Sequence, residues 1–468
     1  MEVIKLLKDL FHKMQKNIRK IMLFITVVGI VSFAFYTYSL ANSLTGTIGY
    51  ASDECWYVSS SRNIVREIFH VQPSYVDESG MHHYTIFFQS FYWQETYEGG
   101  IENFLEQEYG GKIIMKYNKT PAFSIITEKE LDREKFLEQF KYVSIIQSGY
   151  NYPDNQNIQY YMNAEHPPLV KYIIGISMLI FGDKPISWRI PGILLGTLTL
   201  IILCLTVYKI SNNIFLPVLV LICAYADAVY VAMSSIAMLD MYVTFFIALS
   251  MWFALKEKYL FSSISIGLAA SAKLTGVFPI LALITLFILF KVDLIKTVCY
   301  TFIIPPLVWL SSNIPLILSW GFIKWYGELE NGLKWHVTSR PEGPPTSPPW
   351  GWFYNQNPFA LHFNPDLAAR VNPVIYFMAI IFLLFIPYLY LKGYKKYSIP
   401  SLWFVFSFLG YVGVYILGNR TLYSFYVVTL SPMAYILASL FVLHLGDFPI
   451  FLEALKYYLN QIKSYFKK

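Results

Sequence analysis

Asp53 and Glu54 stand side by side in YASDECWYVSSSRNIV (residues 50–65), shortly after the apolar run LFITVVGIVSFAFYTYSLA (residues 23–41). A carboxylate at a membrane edge is partly desolvated, which raises its pKa and makes it a better base. Much further along, Glu165 and His166 precede Pro167 and Pro168. The prolines fix the backbone, so this turn projects its side chains from a rigid support. Lys171 comes next, and Arg189, Asp240, Lys273, His336, Arg340 and Arg420 are spread over the rest of the chain between apolar runs. Ionisable groups in or beside a bilayer are costly and tend to be paired or functional. As a set they suit one polar cavity that combines acid–base groups with cations. Taken singly, each is equally an ordinary loop charge at a water interface.

The elements that must position these residues are membrane-like. Of 468 residues, 56% are hydrophobic and only 14% are charged, against about 25% in a soluble domain. Apolar runs long enough to span begin at 21–43 and recur at 187–208, 214–234, 240–255, 296–318, 371–391, 400–417 and 425–445. The stretch 259–290 breaks at Lys273 and reads either as one interrupted helix or as two. HPPLVKYIIGISMLIFGD (166–183) is short and suits a helix lying at the interface. These runs predict an all-α polytopic membrane protein of about ten or eleven spans. The Lys residues at 209, 256, 258, 291, 296, 392, 395 and 396 fall in alternate gaps, and both termini are basic. The positive-inside rule then puts both termini in the cytoplasm and every ionisable residue named above on the external side.

The sequence divides accordingly. A basic lead-in (1–20) and the first span (21–43) come before a large external loop (44–166), followed by an interfacial helix and membrane core (167–318). An external Pro-rich loop (319–370), C-terminal spans (371–446) and a basic tail (447–468) complete it. A loop as long as 44–166 is usually functional or a domain of its own, and here a small mixed α/β cap is expected. Within it, ITEKELDREKFLEQF reads as a helix with Thr127 as N-cap. Asn118 and Asn419 begin glycosylation sequons, and His82-His83 reads as surface. The net charge of +6 is explained by membrane orientation, so no nucleic-acid partner is expected. The four cysteines form neither a zinc pattern nor a disulfide framework.

AEHPPLVKYIIGISMLIFGDKPISWRIPGILLG (164–196) resembles the protein O-mannosyltransferases and the related aminoarabinose transferases, which are polyprenyl-phosphate-sugar-dependent enzymes of the C-type membrane glycosyltransferase fold. The HPP-x-x-K element, the Gly-Asp after the short helix and the Trp-Arg-x-Pro entering the next span carry the resemblance. The Asp53-Glu54 pair, Leu239-Asp240, GLAASAKLTG (267–276) and RTLYSFY (420–426) agree with it in order. One departure is that the late external loop is too small for the β-trefoil domain of the eukaryotic protein mannosyltransferases, so a protein acceptor is not assured.

The resemblance implies an inverting, metal-independent transfer of a mannose-like hexose from a polyprenyl or dolichyl phosphate on the external face. Asp53 would be the catalytic base, with Glu54 orienting a partner or the acceptor. His166, Lys171, Arg189, Lys273 and Arg420 would serve the donor phosphate, and Glu165, Asp240 and Arg340 would position sugar or acceptor. Asp240 serves equally as a holder of one of the cations or as a helix N-cap. No cofactor is expected, although Glu165 with His166 leaves a divalent metal open as a weaker alternative. The acceptor expected first is protein, with lipid or an existing glycan as the alternative. A flippase of lipid-linked sugars is the rival from another class, but it would call for mid-membrane charges and repeated halves, which the sequence lacks. Arg62 is a further candidate to meet a phosphate or a carboxylate.

Overall fold

The computed structural model describes residues 2–44, 49–338, 343, 345–419, 421–446 and 448–465. A long first helix, α1 (Glu2–Ser43), leads into α2 (Glu54–Glu67), and α3 (Phe91–Tyr109) and α4 (Arg133–Gln139) belong to the cap. Next come α5 (Leu169–Phe181), α6 (Pro185–Ser211), α7 (Leu216–Ala226), α8 (Ala228–Ser235), α9 (Leu239–Leu255), α10 (Tyr259–Ala272) and α11 (Ile280–Leu289). The later helices are α12 (Leu294–Val298), α13 (Ile304–Trp320), α14 (Phe322–Val337), α15 (Pro373–Leu383) and α16 (Ile386–Leu391). The chain closes with α17 (Ser398–Ile416), α18 (Ser431–Leu445) and α19 (Phe448–Tyr465).

Among the described residues, four helical runs are long and apolar enough to cross a bilayer: Lys16–Ser43, Pro185–Ser211, Leu294–Trp320 and Lys395–Ile416. Two bent pairs bring the number to six if each is one span, and shorter apolar helices such as α5, α9 and α10 accompany them. Large apolar side chains stand exposed along α1, Phe24 and Phe35 among them. Such a surface is stable only in lipid. The chain is therefore an integral, multi-pass membrane protein, mostly helical, with one small cap.

One detail of the expected spans changes, and one left open is decided. The run expected as one helix over 214–234 is bent by 76° between α7 and α8. Asp227 sits at the break, where its buried carboxylate accepts from the Tyr376 and Tyr435 hydroxyls (2.9 and 2.6 Å) and the Asn372 N–H (2.9 Å). The Val229 N–H, freed by the break, donates to the Arg370 carbonyl (2.8 Å). Backbone can leave the helix inside a membrane only where the protein supplies such partners. Second, the stretch 259–290 forms two helices. Lys273 is extended (φ −160°, ψ 138°), and a 3₁₀ turn, Leu274–Val277, precedes α11. That turn folds back on α10 so closely that a Cβ on Gly276 would lie 2.2 Å from the Ala269 carbonyl carbon. Backbone cannot yield as a side chain does. Gly276→Ala is therefore expected to destabilise the protein by about 1–3 kcal/mol, seen as a lower thermal midpoint in detergent; an unchanged midpoint would contradict this packing.

The cap is an antiparallel four-stranded sheet with the order β2-β3-β1-β4. Its strands are β1 (His82–Phe88), β2 (Lys112–Lys116), β3 (Ala122–Thr127) and β4 (Val143–Ser148). α3 and α4 bury Ile101, Leu105 and Phe136 against Ile86, Phe123 and Ile125, giving the cap a core of its own. Thr127 is not the helix cap expected from sequence: it ends β3, and its hydroxyl donates to the Lys129 carbonyl (2.7 Å). Asp132 is the N-cap of α4, its carboxylate accepting from the Lys135 N–H (3.1 Å). β3 is paired along both edges, with β1 and β2, and this long-range pairing prevails over the local helix signal. His83 lies against Asp77 (2.9 Å). Asn118 is exposed on a turn, whereas its sequon partner Thr120 is buried and donates to Gln159.

Candidate active site

A polar and aromatic cavity of about 540 Å³ lies where four segments meet. Asp53, Trp56 and Tyr57 come from the start of α2, and Tyr161, Asn163, Glu165 and His166 from the turn before α5. α14 contributes Glu328, Asn331, Gly332 and Trp335, and the later chain contributes Phe359, Thr421, Tyr423 and Tyr426.

Asp53 occupies the N-cap position of α2, where its carbonyl accepts from the Trp56 and Tyr57 N–H groups (3.0 and 3.1 Å). Its carboxylate makes no capping hydrogen bond and instead lines the cavity. Ser52, just before it, is held in the left-handed region (φ 52°). A non-glycine residue there is strained, and the surrounding structure must hold it in place. Burial, with the Asp53 charge adding, pushes the Cys55 thiol up to about 12, so it stays a neutral packing group rather than a nucleophile.

Glu165 is held from two sides. It accepts from the Tyr161 hydroxyl and from the Asn163 amide (2.9 Å). Burial, and then the Glu165 charge, push the Tyr161 pKa well up, so the hydroxyl remains a donor. The His166 ring meets Tyr57 edge-on at 6.0 Å. Gly332 lets α14 approach this turn, for a Cβ there would lie 2.7 Å from the Glu165 Cα. Among the described residues, no three or more His, Cys, Asp or Glu gather as a metal site would require.

Several residues expected at the donor phosphate are committed elsewhere. Arg189 is buried, and its five N–H donors are all used. Two reach Glu54 (2.8 and 2.6 Å), and three reach the carbonyls of Ala41, Leu44 and Gly49 (each 2.8 Å). A guanidinium has five donors, so none is left for a phosphate. Glu54 is also fully buried and accepts from the Ala51 and Ala237 N–H groups (2.7 and 2.8 Å). It thus holds Arg189 and faces the core, while its neighbour Asp53 lines the cavity. Side chains on successive helix residues point about 100° apart.

Lys171 is likewise buried, and its ammonium donates to the carbonyls of Met162, Asn163 and His166. It staples the turn that carries Glu165 and His166 rather than reaching a phosphate. Asp240 is not an N-cap: Met238 takes that place, and Asp240 accepts from Lys273 at 2.9 and 3.1 Å. Lys273 lies 3.7 Å from the centre of the Tyr426 ring, behind a wall of the cavity rather than in it. Arg62 meets a carboxylate, its guanidinium forking onto Asp183 (2.6 and 2.8 Å) with both groups buried. Arg340, Arg420 and the side chain of His336 lie outside the described residues.

The α14 wall was not expected, because 319–370 reads as a loop. The signal is nevertheless in the sequence. Glu328, Asn331, Gly332 and Trp335 follow the i, i+3, i+4, i+7 spacing of one helix face.

The fold and this cavity define a class: a polytopic membrane protein with a small cap and, apart from it, an acid-bearing, aromatic-walled cavity between α2, the turn before α5, α14 and the later chain. The comparisons with known proteins narrow the class. Residues 165–318 match the family model described as dolichyl-phosphate-mannose-protein mannosyltransferase, so the resemblance seen in the HPP-to-WR block is borne out, and with it the enzyme class, mannosyltransferase. The polyprenol-phosphate-mannose–protein mannosyltransferase of Corynebacterium glutamicum is 21% identical over 364 residues, covering 59% of this chain and 69% of that protein. Its namesake in Mycobacterium tuberculosis is 32% identical over 82 residues, covering 18% of this chain and 16% of that protein. Among solved structures, ArnT from Cupriavidus metallidurans bound to undecaprenyl phosphate superposes with a TM-score of 0.41 at 15% identity, covering 59% of this chain and 50% of that one. The Archaeoglobus fulgidus oligosaccharyltransferase gives a TM-score of 0.45 at 13% identity, with 93% of this chain and 52% of that one covered. The chain thus spans about half the length of these solved structures.

Proposed function

We propose that this protein is an inverting glycosyltransferase that moves a mannose-like hexose from a polyprenyl phosphate to a hydroxyl of a protein acceptor at the external face. The observation that carries the reading is the Asp53 carboxylate, turned into the cavity instead of capping its own helix. In the proposed step, the acceptor O–H gives its proton to Asp53 as the oxygen attacks C1 of the sugar. The bond from C1 to the phosphate oxygen breaks on the opposite face, and the electron pair leaves with the lipid phosphate. Glu165, fixed by Tyr161 and Asn163, would hold a sugar or acceptor hydroxyl, and the aromatic walls suit the faces of a pyranose ring. Beyond the described residues, Arg420 is the cation proposed for the leaving phosphate, where fixed positive charge stabilises the transition state, and His166 would donate a hydrogen bond to that phosphate. No metal enters this step.

The test is transfer by the purified full chain in lipid nanodiscs. Radiolabelled polyprenyl-phosphate mannose is the donor, and peptides rich in Ser and Thr are the acceptors. Labelled peptide with the sugar in the anomeric configuration opposite to that in the donor is expected. Labelling of lipid or glycan acceptors alone would overturn the protein-acceptor half of the reading, and retention of configuration would overturn the single displacement.

A further inference from the structure

Helix α19 shows two faces. One is docked: Phe451 and Ala454 are buried, with the Phe451 ring 4.4 Å from that of Phe385. On the same helix, Glu453 accepts from the Tyr388 hydroxyl (2.8 Å) and from Lys392 (3.3 Å). The Tyr458 hydroxyl donates to the Leu384 carbonyl (3.0 Å) and accepts from the Tyr388 N–H (3.2 Å). These contacts fix the roll of the helix. They leave a second stripe, Leu452, Leu455, Leu459 and Ile462, standing 43 to 53% exposed. Its spacing is that of one helix face. Lys456 and Lys463 are exposed and flank it, at about 140° and 120° around the helix from Phe451.

We propose that α19 lies along the bilayer surface, with this leucine stripe in the boundary between headgroups and acyl chains and with Lys456 and Lys463 on anionic headgroups. Three observations select lipid over another occupant. α19 is turned 102° from the apolar helix α18, so the two do not continue as one straight span. The protein already stands in lipid, which places a membrane beside the stripe. The charge on its flank is positive, with Glu453 turned onto Tyr388 and Lys392. An amphipathic helix with a leucine stripe and flanking lysines binds an interface by apolar burial and by attraction to anionic lipid, while lysine stems snorkel to the headgroups.

The full chain in nanodiscs tests this. Nitroxide labels at Leu459→Cys and Asn460→Cys are compared, with the signal of the unsubstituted chain subtracted for its own cysteines. The label at 459 is expected to collide more with oxygen than with a water-soluble nickel complex, and the label at 460 the reverse. Equal access of the nickel complex to both labels would overturn the proposal. So would shielding of 459 from both reagents, which would mean a protein occupant. Moving from phosphatidylcholine to phosphatidylglycerol discs is expected to deepen the label at 459, and Lys456→Gln with Lys463→Gln to remove that difference. Equal depth in both lipids for the parent chain would overturn the headgroup contact. Amide exchange of the unsubstituted chain gives the same reading without substitution: 455–465 should exchange more slowly in anionic than in neutral discs, and equal rates would count against the proposal.

Discussion

Asp53→Asn lowers sugar transfer by about 10²–10⁴-fold, the range lost with a positioned general base, while the protein keeps its thermal midpoint. Both halves of this expected result follow from one geometry. Asp53 lines the cavity and its side chain makes no capping bond to α2, so an amide of the same shape removes the proposed proton acceptor without withdrawing helix support. The loss should fall on kcat more than on KM, because the base acts chiefly in the transition state. A panel of polyprenyl-phosphate sugars assayed with the purified variant checks it. Undiminished transfer would remove Asp53 from the mechanism, and a collapse of the thermal midpoint would make it a structural acid. Glu165→Gln is the informative companion: its hydrogen bonds from Tyr161 and Asn163 hold it in place at the cavity, and a fall in transfer with an unchanged thermal midpoint is expected if it positions sugar or acceptor as proposed.

Arg189→Met has the opposite signature, a large loss of stability. The pair with Glu54 is buried on both sides, and the guanidinium also binds the carbonyls at the end of α1 and before α2. Removing one partner of a buried ion pair leaves an uncompensated charge and costs about 3–5 kcal/mol. Here three carbonyls lose their donors as well. The double variant Glu54→Gln with Arg189→Met should recover part of that cost, since residues in one network couple strongly. Thermal unfolding in detergent, read by intrinsic fluorescence and by monodispersity on gel filtration, measures both. A stable, monodisperse Arg189→Met protein that has lost only donor affinity would restore Arg189 to the phosphate site and overturn its structural assignment.

The contrast between adjacent Asp53 and Glu54 shows where sequence reading stops. Residue type and position put both at a membrane edge, and nothing local separates them. Their roles diverge because the first turn of α2 sends one side chain to the cavity and the other to Arg189, 135 residues away in sequence. Arg62 with Asp183, 121 residues apart, and Asp240 with Lys273 follow the same rule. A cation in a low-dielectric interior takes the carboxylate that folding brings to it, and periodicity says nothing about which one that is. Asp227 escaped notice for the same reason: inside an apolar run it reads as an isolated charge, and only the bend shows the hydroxyls that satisfy it.

What the sequence by itself determined is the medium and the machinery's raw material. Runs of apolar residues require lipid around them, because backbone and side chains alike must be satisfied without water. The HPP-to-WR block carries a family resemblance that the match over residues 165–318 bears out. Glu165 and His166, projected from a proline-stiffened turn, were legible as a unit and share the cavity with Asp53. Tertiary structure alone decided which charges face that cavity and which are spent on one another, which strand displaced the expected start of the cap helix, and that α14 closes a wall. Each of these is a long-range choice among partners, set by burial and by the need to pair every buried charge, and no window of sequence contains both members of the pair.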